Sequence, residues 1–293
     1  MKLKVGSRES KLAVIQAEIV INAIKKNHPD LEIELVTMKT TGDIILNQTL
    51  DKIGGKGLFV KELDRALYEK KVDLTVHSLK DMPMETNPDL PIVAVSSRED
   101  PRDALVLPIG ASELDFHKPI GCSSARRRIQ LKRLFPDSVI SPVRGNVLTR
   151  LEKLDRGEFS ALVLASAGLK RLGLENRISR LFEPNEILPA ACQGILAVQA
   201  RSDFDPNILT GFHDPKVWSV AQAERSFVTT LDGGCSSPVA AYAQWVGEDL
   251  CLTGLYAEED SEIFKIATQT APGQEAQKLG SSLALRMKKE NQS

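Results

Sequence analysis

Arg8, Lys56, Lys80, Arg126, Arg127, Arg144, Arg150 and Arg171 stand where strand-like and helix-like patterns meet. Cations at such junctions point to an anionic ligand. Helix N-termini present free N–H groups, and guanidinium pairs bidentately with carboxylate or phosphate. In β/α proteins ligands bind at the carboxyl ends of the strands. One long cation on its own is usually solvated surface. A set recurring at strand ends implies a ligand with many negative groups, phosphate or polycarboxylate. Lys56 lies in Gly54-Gly55-Lys56-Gly57, a weak match to phosphate loops because no Ser or Thr follows the Lys.

Lys80-Asp81 places a carboxylate beside a cation at a strand end. Asp81 there can act as a general acid/base or stabilise a developing cation; it can equally cap the turn before Pro83. Gly233-Gly234-Cys235 gives a thiol on a turn that a ligand can approach closely. A free Cys is more often a small buried hydrophobe, which suits Cys122, Cys192 and Cys251 better than Cys235. Cys122 adjoins Ser123-Ser124 and can also line a site.

The elements that must position these groups follow from periodicity. Residues 2–5 read as a strand, and 10–27 as a helix with Leu12, Ile15, Ile19 and Ala23 at helical spacing. His28-Pro29-Asp30 stops it, and 31–35 alternates as a strand. This β-α-β start builds parallel sheets. Residues 40–58, with three glycines in 54–57, read as a long loop and candidate lid. Phe59, Leu63 and Leu67 mark a helix, and 73–78 a strand.

A polar stretch at 96–103 reads as a crossover to a second β/α series. That series has a helix rich in Arg126, Arg127 and Arg128, a strand at 138–143, and a helix carrying Leu148, Leu151 and Leu154. A buried strand follows at 161–165. Residues 183–194 read as a second crossover, and 195–199 as a strand returning to the first lobe. The tail reads as a helix over 214–231 with Trp218, Ala221, Phe227 and Leu231 inward. Antiparallel strands at 238–246, 250–257 and 262–268 and a closing helix at 274–288 complete an α+β unit.

Composition narrows the functions. The 293 residues are 26% charged and 42% hydrophobic, ordinary for a globular protein and long enough for two or three domains. Lys plus Arg is 38 and Asp plus Glu 39, a formal net charge of -1. With aromatics at 5%, a nucleic-acid platform is disfavoured. No apolar run approaches about 18 residues, and the start lacks a signal-peptide core. No Cys pair has metal or redox spacing. A cytoplasmic chain with reduced thiols is expected, with no metal and no disulfide.

The ordered motifs resemble the porphobilinogen deaminases, also called hydroxymethylbilane synthases. They are Gly6-Ser7-Arg8-Glu9-Ser10, the run from Gly54 through Lys56 and Phe59 to Leu63, and Val76-His77-Ser78-Leu79-Lys80-Asp81-Met82-Pro83. Arg98-Glu99-Asp100-Pro101-Arg102-Asp103-Ala104, Arg144-Gly145-Asn146-Val147, Ala167 to Gly173 and Gly233-Gly234-Cys235 continue the series. The resemblance runs from Val5 almost to the C-terminus.

It implies an α/β fold of two doubly wound lobes like those of periplasmic binding proteins, plus a C-terminal α+β domain. The expected division is 1–97 with 193–212, then 98–192, then 213–293 for the cofactor-anchoring domain. It implies condensation of four porphobilinogen molecules, head to tail with loss of ammonia, on a covalent dipyrromethane primer. Hydrolysis then releases linear hydroxymethylbilane. One dipyrromethane per chain is implied on Cys235 by a thioether, with Asp81 as catalytic acid/base.

Carried over by motif, Lys80, Asp81, Ser123, Ser124, Arg126, Arg127, Arg144 and Gly145 bind the cofactor. Arg8, Ser10, Arg144, Arg150, Arg171 and Gln193 bind substrate, and Lys56 and Phe59 belong to the lid. A chain of six rings, each with acetate and propionate, presents about a dozen carboxylates to these cations. The family pattern also implies a monomer with no membrane or nucleic-acid partner. Two departures stand out. Cys122-Ser123-Ser124-Ala125 replaces the usual Thr-Ser-Ser-Leu, and Ala191-Cys192-Gln193-Gly194 replaces Val-Gly-Gln-Gly. The competing class is a two-lobed binding protein for an anionic small molecule. It explains the cations but gives Asp81 and Cys235 no task.

Overall fold

The computed structural model describes residues 2–44, 60–233, 238–258, 261 and 263–291. They fall into two compact units. Gly194–Trp218 joins the described residues before 100 in one; Asp100–Gln193 joins those after 218 in the other.

The first unit starts with β1 (Lys2–Arg8), α1 (Lys11–Asn27) and β2 (Glu32–Met38), the two strands parallel from Lys2↔Glu32 to Arg8↔Met38. Ser10 caps α1 by accepting from Ala13 N–H at 3.4 Å, and Lys25 and Lys26 complement the dipole of its last turn. The residues noted at helical spacing, Leu12, Ile15, Ile19 and Ala23, are not the fully buried stripe. The helix buries Ala13, Ala17, Val20, Ile21 and Ile24, and Ile19 is exposed. Both stripes are apolar, so spacing alone does not choose between them; the core beside Val5 and Leu74 does.

A short helix α2 (Thr41–Ile44) opens the stretch expected to be a lid; the rest of that stretch lies outside the described residues. Next come α3 (Lys61–Tyr68), β3 (Leu74–Ser78) and β4 (Ile92–Val95). The sheet is completed by β10 (Leu196–Ala200), in the order β2-β1-β3-β10-β4, with β10 antiparallel to both neighbours. The return of the chain to the first sheet was expected; β4 was not.

In the second unit β5 (Asp103–Val106), β6 (Ile120–Gly121), β7 (Ile140–Ser141), β8 (Ala161–Ala165) and β9 (Arg180–Phe182) form a sheet ordered β7-β6-β8-β5-β9. Helices α4 (Ala125–Leu134), α5 (Val147–Asp155) and α6 (Ser166–Arg171) follow β6, β7 and β8, which run parallel. β5 is antiparallel to β8 and β9. The fourth strand of each five-stranded sheet thus opposes its neighbours, and each arrives from a crossover. The expected first crossover is therefore too long: its last residue, Asp103, begins β5.

The same unit holds α7 (Pro215–Thr230) from Ser219 onward. With it come β11 (Val239–Val246), β12 (Asp249–Tyr256) and β13 (Lys265–Pro272), an antiparallel sheet, and α8 (Ala276–Asn291). The third strand ends four residues later than expected, paired through Asp249↔Pro272. Ile129 and Leu188 pack with Ala240, Leu255 and Ala257, joining this sheet to the β5–β9 lobe. The fold class is thus the expected one: two α/β sheets and a C-terminal α+β part.

Where the chain leaves and re-enters the first unit, Glu99 N–H donates to Gly194 O at 3.1 Å. Gly194 has φ 92, and a Cβ there would meet Glu99 O at 2.2 Å. Cys192 adopts φ 62. That is the left-handed well, which a non-glycine residue occupies at a cost.

Candidate functional site

In the first unit the site residues follow the carboxyl ends of two parallel strands, β1 and β3. Arg8 is the last residue of β1, half-buried, and Ser10 is the cap of α1. Lys80 and Asp81 sit on a single 3₁₀ turn after β3 rather than at its end. Leu79 and Met82 are fully buried, and Leu79 N–H donates to Ile195 O at 3.0 Å. Those anchors fix the turn while the Asp81 carboxylate stays exposed. Behind the turn, burial first and the Arg8 charge second push the His77 imidazole down to about 4, so it is neutral at pH 7. Its Nε2 lies 2.8 Å from Thr75 Oγ1.

In the second unit the expected residues follow the carboxyl ends of β6, β7 and β8. Ser123 exchanges hydrogen bonds with the Val143 backbone, and Ser124 caps α4. Gly145 has φ 111, which lets the chain turn into α5; Arg150 Nε donates to Gly145 O at 2.8 Å, beside Arg144. Arg171 is the half-buried last residue of α6. Lys56, Phe59 and Cys235 lie outside the described residues.

Arg126 and Arg127 are buried, only 3% and 7% exposed, and converge on a fully buried Asp103. Arg126 Nη1 donates to Asp103 Oδ2 at 2.5 Å and to Leu188 O at 2.8 Å. Arg127 donates Nε and Nη2 to Asp103 Oδ1 at 3.0 and 2.7 Å. Gln193 Nε2 adds bonds to the same oxygen at 2.8 Å and to Pro101 O at 2.6 Å. Burial would push the Asp103 carboxyl up, but the two guanidiniums overcome it and hold it well below the usual range. Burial pushes Arg126 down from its ordinary value, against the pull of Asp103.

Sequence reasoning placed both arginines on the anion site but missed Asp103. The available signal was two adjacent arginines on one short helix, which both become buried only if a carboxylate meets them. Gln193, expected at the substrate, also donates its amide N–H groups to this cluster. Among the described residues, Arg126 Nε is buried without a hydrogen-bond partner. An uncommitted donor on a buried cation fits a ligand carboxylate.

Two α/β sheets bearing cations at strand ends, an exposed carboxylate on a fixed turn and a third, separate sheet define an enzyme class that handles a polyanionic small molecule. The family description "Porphobilinogen deaminase, dipyromethane cofactor binding domain" matches residues 3–209, and "Porphobilinogen deaminase, C-terminal domain" matches 218–289. The chain belongs to the porphobilinogen deaminase family. It is 64% identical over 289 residues to a porphobilinogen deaminase of Acetivibrio thermocellus, covering 99% of each chain. One from Alkaliphilus oremlandii is 64% identical over 292 residues, covering 100% of this chain and 98% of that one. One from Chromobacterium violaceum is 44% identical over 290 residues, covering 98% and 94%. The activity is that of a hydroxymethylbilane synthase, a transferase of tetrapyrrole synthesis that acts on porphobilinogen and carries a dipyrromethane cofactor. No helix among the described residues is long and apolar enough to cross a membrane.

Proposed function

We propose that Cys235 carries the dipyrromethane through a thioether and that Asp81 is the catalytic acid/base. The observation that carries this reading is the setting of Asp81: an exposed carboxylate on a turn pinned by buried Leu79 and Met82, next to Lys80. A carboxylate held this way exchanges a proton without moving its backbone. When bound, the dipyrromethane supplies the pyrrole α-carbon on which the chain grows. Asp81 hydrogen-bonds pyrrole N–H, protonates the departing amine so that the C–N bond breaks with loss of ammonia, and stabilises the cationic methylene-pyrrole. It then accepts the proton displaced when the new C–C bond forms, and is ready for the next cycle.

Arg126 and Arg127, with Ser123, Ser124 and Lys80, hold cofactor carboxylates; Arg144 and Gly145 flank them. Arg8, Ser10, Arg150, Arg171 and Gln193 receive substrate. Lys56 and Phe59 belong to a lid that keeps water from the cation. The division into 1–97 with 193–212, 98–192 and 213–293 is part of the same reading, supported at its last boundary by the two family matches. The enzyme works as a cytoplasmic monomer.

Asp81→Ala is expected to retain the cofactor mass and thermal midpoint yet lose about 10²- to 10⁴-fold in kcat. Turnover at the wild-type rate would remove Asp81 from the chemistry. Intact mass under denaturing conditions, with peptide mapping across Cys235, tests the anchor: a dipyrromethane on another peptide moves it.

A further inference from the structure

We infer that Asp64 and Gln199 form a proton-operated lock: the neutral acid on α3 donates to Gln199 Oε1 on β10, and release of that proton loosens α3 from the sheet. The basis is a pair of oxygens that both lack a donor. Asp64 Oδ1 and Gln199 Oε1 are buried without a hydrogen-bond partner among the described residues, although the two side chains adjoin. A buried acceptor left bare is costly. Two acceptors cannot satisfy each other, and one proton between them satisfies both.

The rest of Gln199 is fixed in place. Its Nε2 donates to Leu90 O at 2.9 Å, and its backbone O accepts from Thr75 Oγ1 at 3.5 Å. Burial drives the Asp64 carboxyl up to about 6, and the Gln199 amide N–H, as a neighbouring donor, opposes the rise. As an acceptor Gln199 favours the acid instead, and its bare Oε1 assigns it that part.

Charged groups near α3 are engaged elsewhere or silent. The helix packs against β1 and β3, which bring Lys4, Arg8, Asp73 and His77; Arg201 follows β10. Arg201 donates to Leu67 O and Val72 O and pairs with Asp73. His77, beside Gln199, titrates at about 4 and stays neutral above pH 5. On α3 itself, Glu62 takes Thr41 and the charge of Lys61, and Arg65 pairs with Glu69. Asp64 makes no ion pair with any of them among the described residues.

An opened α3 lets this carboxyl titrate at about 4, whereas the closed one keeps its proton to about 6. The extra hold on α3 is therefore present at acid pH and lost as pH rises through that window. Because β1 and β3 lead into Arg8 and the Asp81 turn, acid firms the packing of the elements that carry the site.

Hydrogen exchange on the full-length holoenzyme tests the lock, read as protection of residues 60–69 relative to their intrinsic rate at each pH. The wild type is expected to lose about tenfold in protection between pH 5 and pH 8. Asp64→Asn should show no such step, because its amide N–H serves Gln199 Oε1 at every pH. Gln199→Met decides what the amide does. If Oε1 is the acceptor, removing it shrinks the step; if Gln199 acts as a donor to the carboxylate or through a bridging water, the step stays or grows. Since Gln199→Met also strips Leu90 O of its donor and can fail to fold, Gln199→Asn, which withdraws the amide by one methylene, is measured beside it. A smaller step in either folded variant supports the lock. A step that stays or grows overturns it, as does an equal step in Asp64→Asn or none in the wild type.

Discussion

Asp64 on α3 shows how a single residue sets a pH dependence. Its Oδ1 is buried without a hydrogen-bond partner among the described residues, and burial pushes its carboxyl up to about 6. The folded chain therefore holds a proton there that the unfolded chain has released, between about pH 4 and pH 6. Stability from this group is present at low pH and lost as pH rises through that window. Asp64→Asn removes the charge, so its urea midpoint at pH 8 is expected to lie above that of the wild type, with an unfolding free energy larger by on the order of 1 kcal/mol after allowance for its partial exposure. At pH 4 the gain should vanish; a lower midpoint at both pH values would show that the carboxylate is better satisfied than its surroundings indicate. Asp103 presents the opposite case, a carboxyl fully paired and held ionised. Neither environment was legible in the sequence. The partners of Asp103 come from α4 and from Gln193, 90 residues away in the chain, and local pattern carries no such information.

At the level of elements the sequence was informative wherever a pattern was local. The β-α-β start, the helix opened by Ser124, the strand at 161–165 and the returning β10 all follow from periodicity and turn residues. Which stripe of α1 faces the core was not legible, because two neighbouring stripes are equally apolar. β4, β5 and β9 were missed because they are three or four residues long and follow polar or Pro-containing stretches, too short to establish a period. The crossovers supply a test at this scale. Cys192 and Gly194 both have positive φ, yet a side chain is tolerated only at the first. At φ 62 Cys192 lies in the left-handed well, and its N–H donates to Glu224 Oε2 at 2.6 Å. At Gly194 a Cβ would stand 2.2 Å from the Glu99 carbonyl oxygen, a backbone atom that cannot move aside. Gly194→Ala is expected to cost about 3 kcal/mol in chemical denaturation. Cys192→Gly should change stability by no more than about 1 kcal/mol, because relief of strain offsets the lost packing of the thiol. Equal effects at the two positions would mean that the sign of φ, and not the contact with Glu99, decides which residue is allowed.

Across the whole molecule, charge is balanced in sum and uneven in place. The formal net charge is -1, so the protein as a single body offers no attraction to an anionic substrate. In each five-stranded sheet, however, half-buried Arg8, Lys80, Arg144, Arg150 and Arg171 follow the carboxyl ends of parallel strands. A local positive field can guide a small dicarboxylate that the net charge would not. Raising ionic strength from about 0.01 M to about 0.15 M shortens the screening length from about 30 Å to about 8 Å. The expected result is a severalfold fall in kcat/KM for porphobilinogen across that range, with kcat of the loaded enzyme changing far less, since carboxylates already paired with buried cations are weakly screened. A kcat/KM that stays flat would mean that these cations are neutralised by their neighbours before substrate arrives, and that capture relies on contact rather than on field. A parallel fall in kcat would place salt-sensitive pairing in the bound complex instead, as expected if the half-buried cations, and not the Asp103 cluster, carry the growing chain.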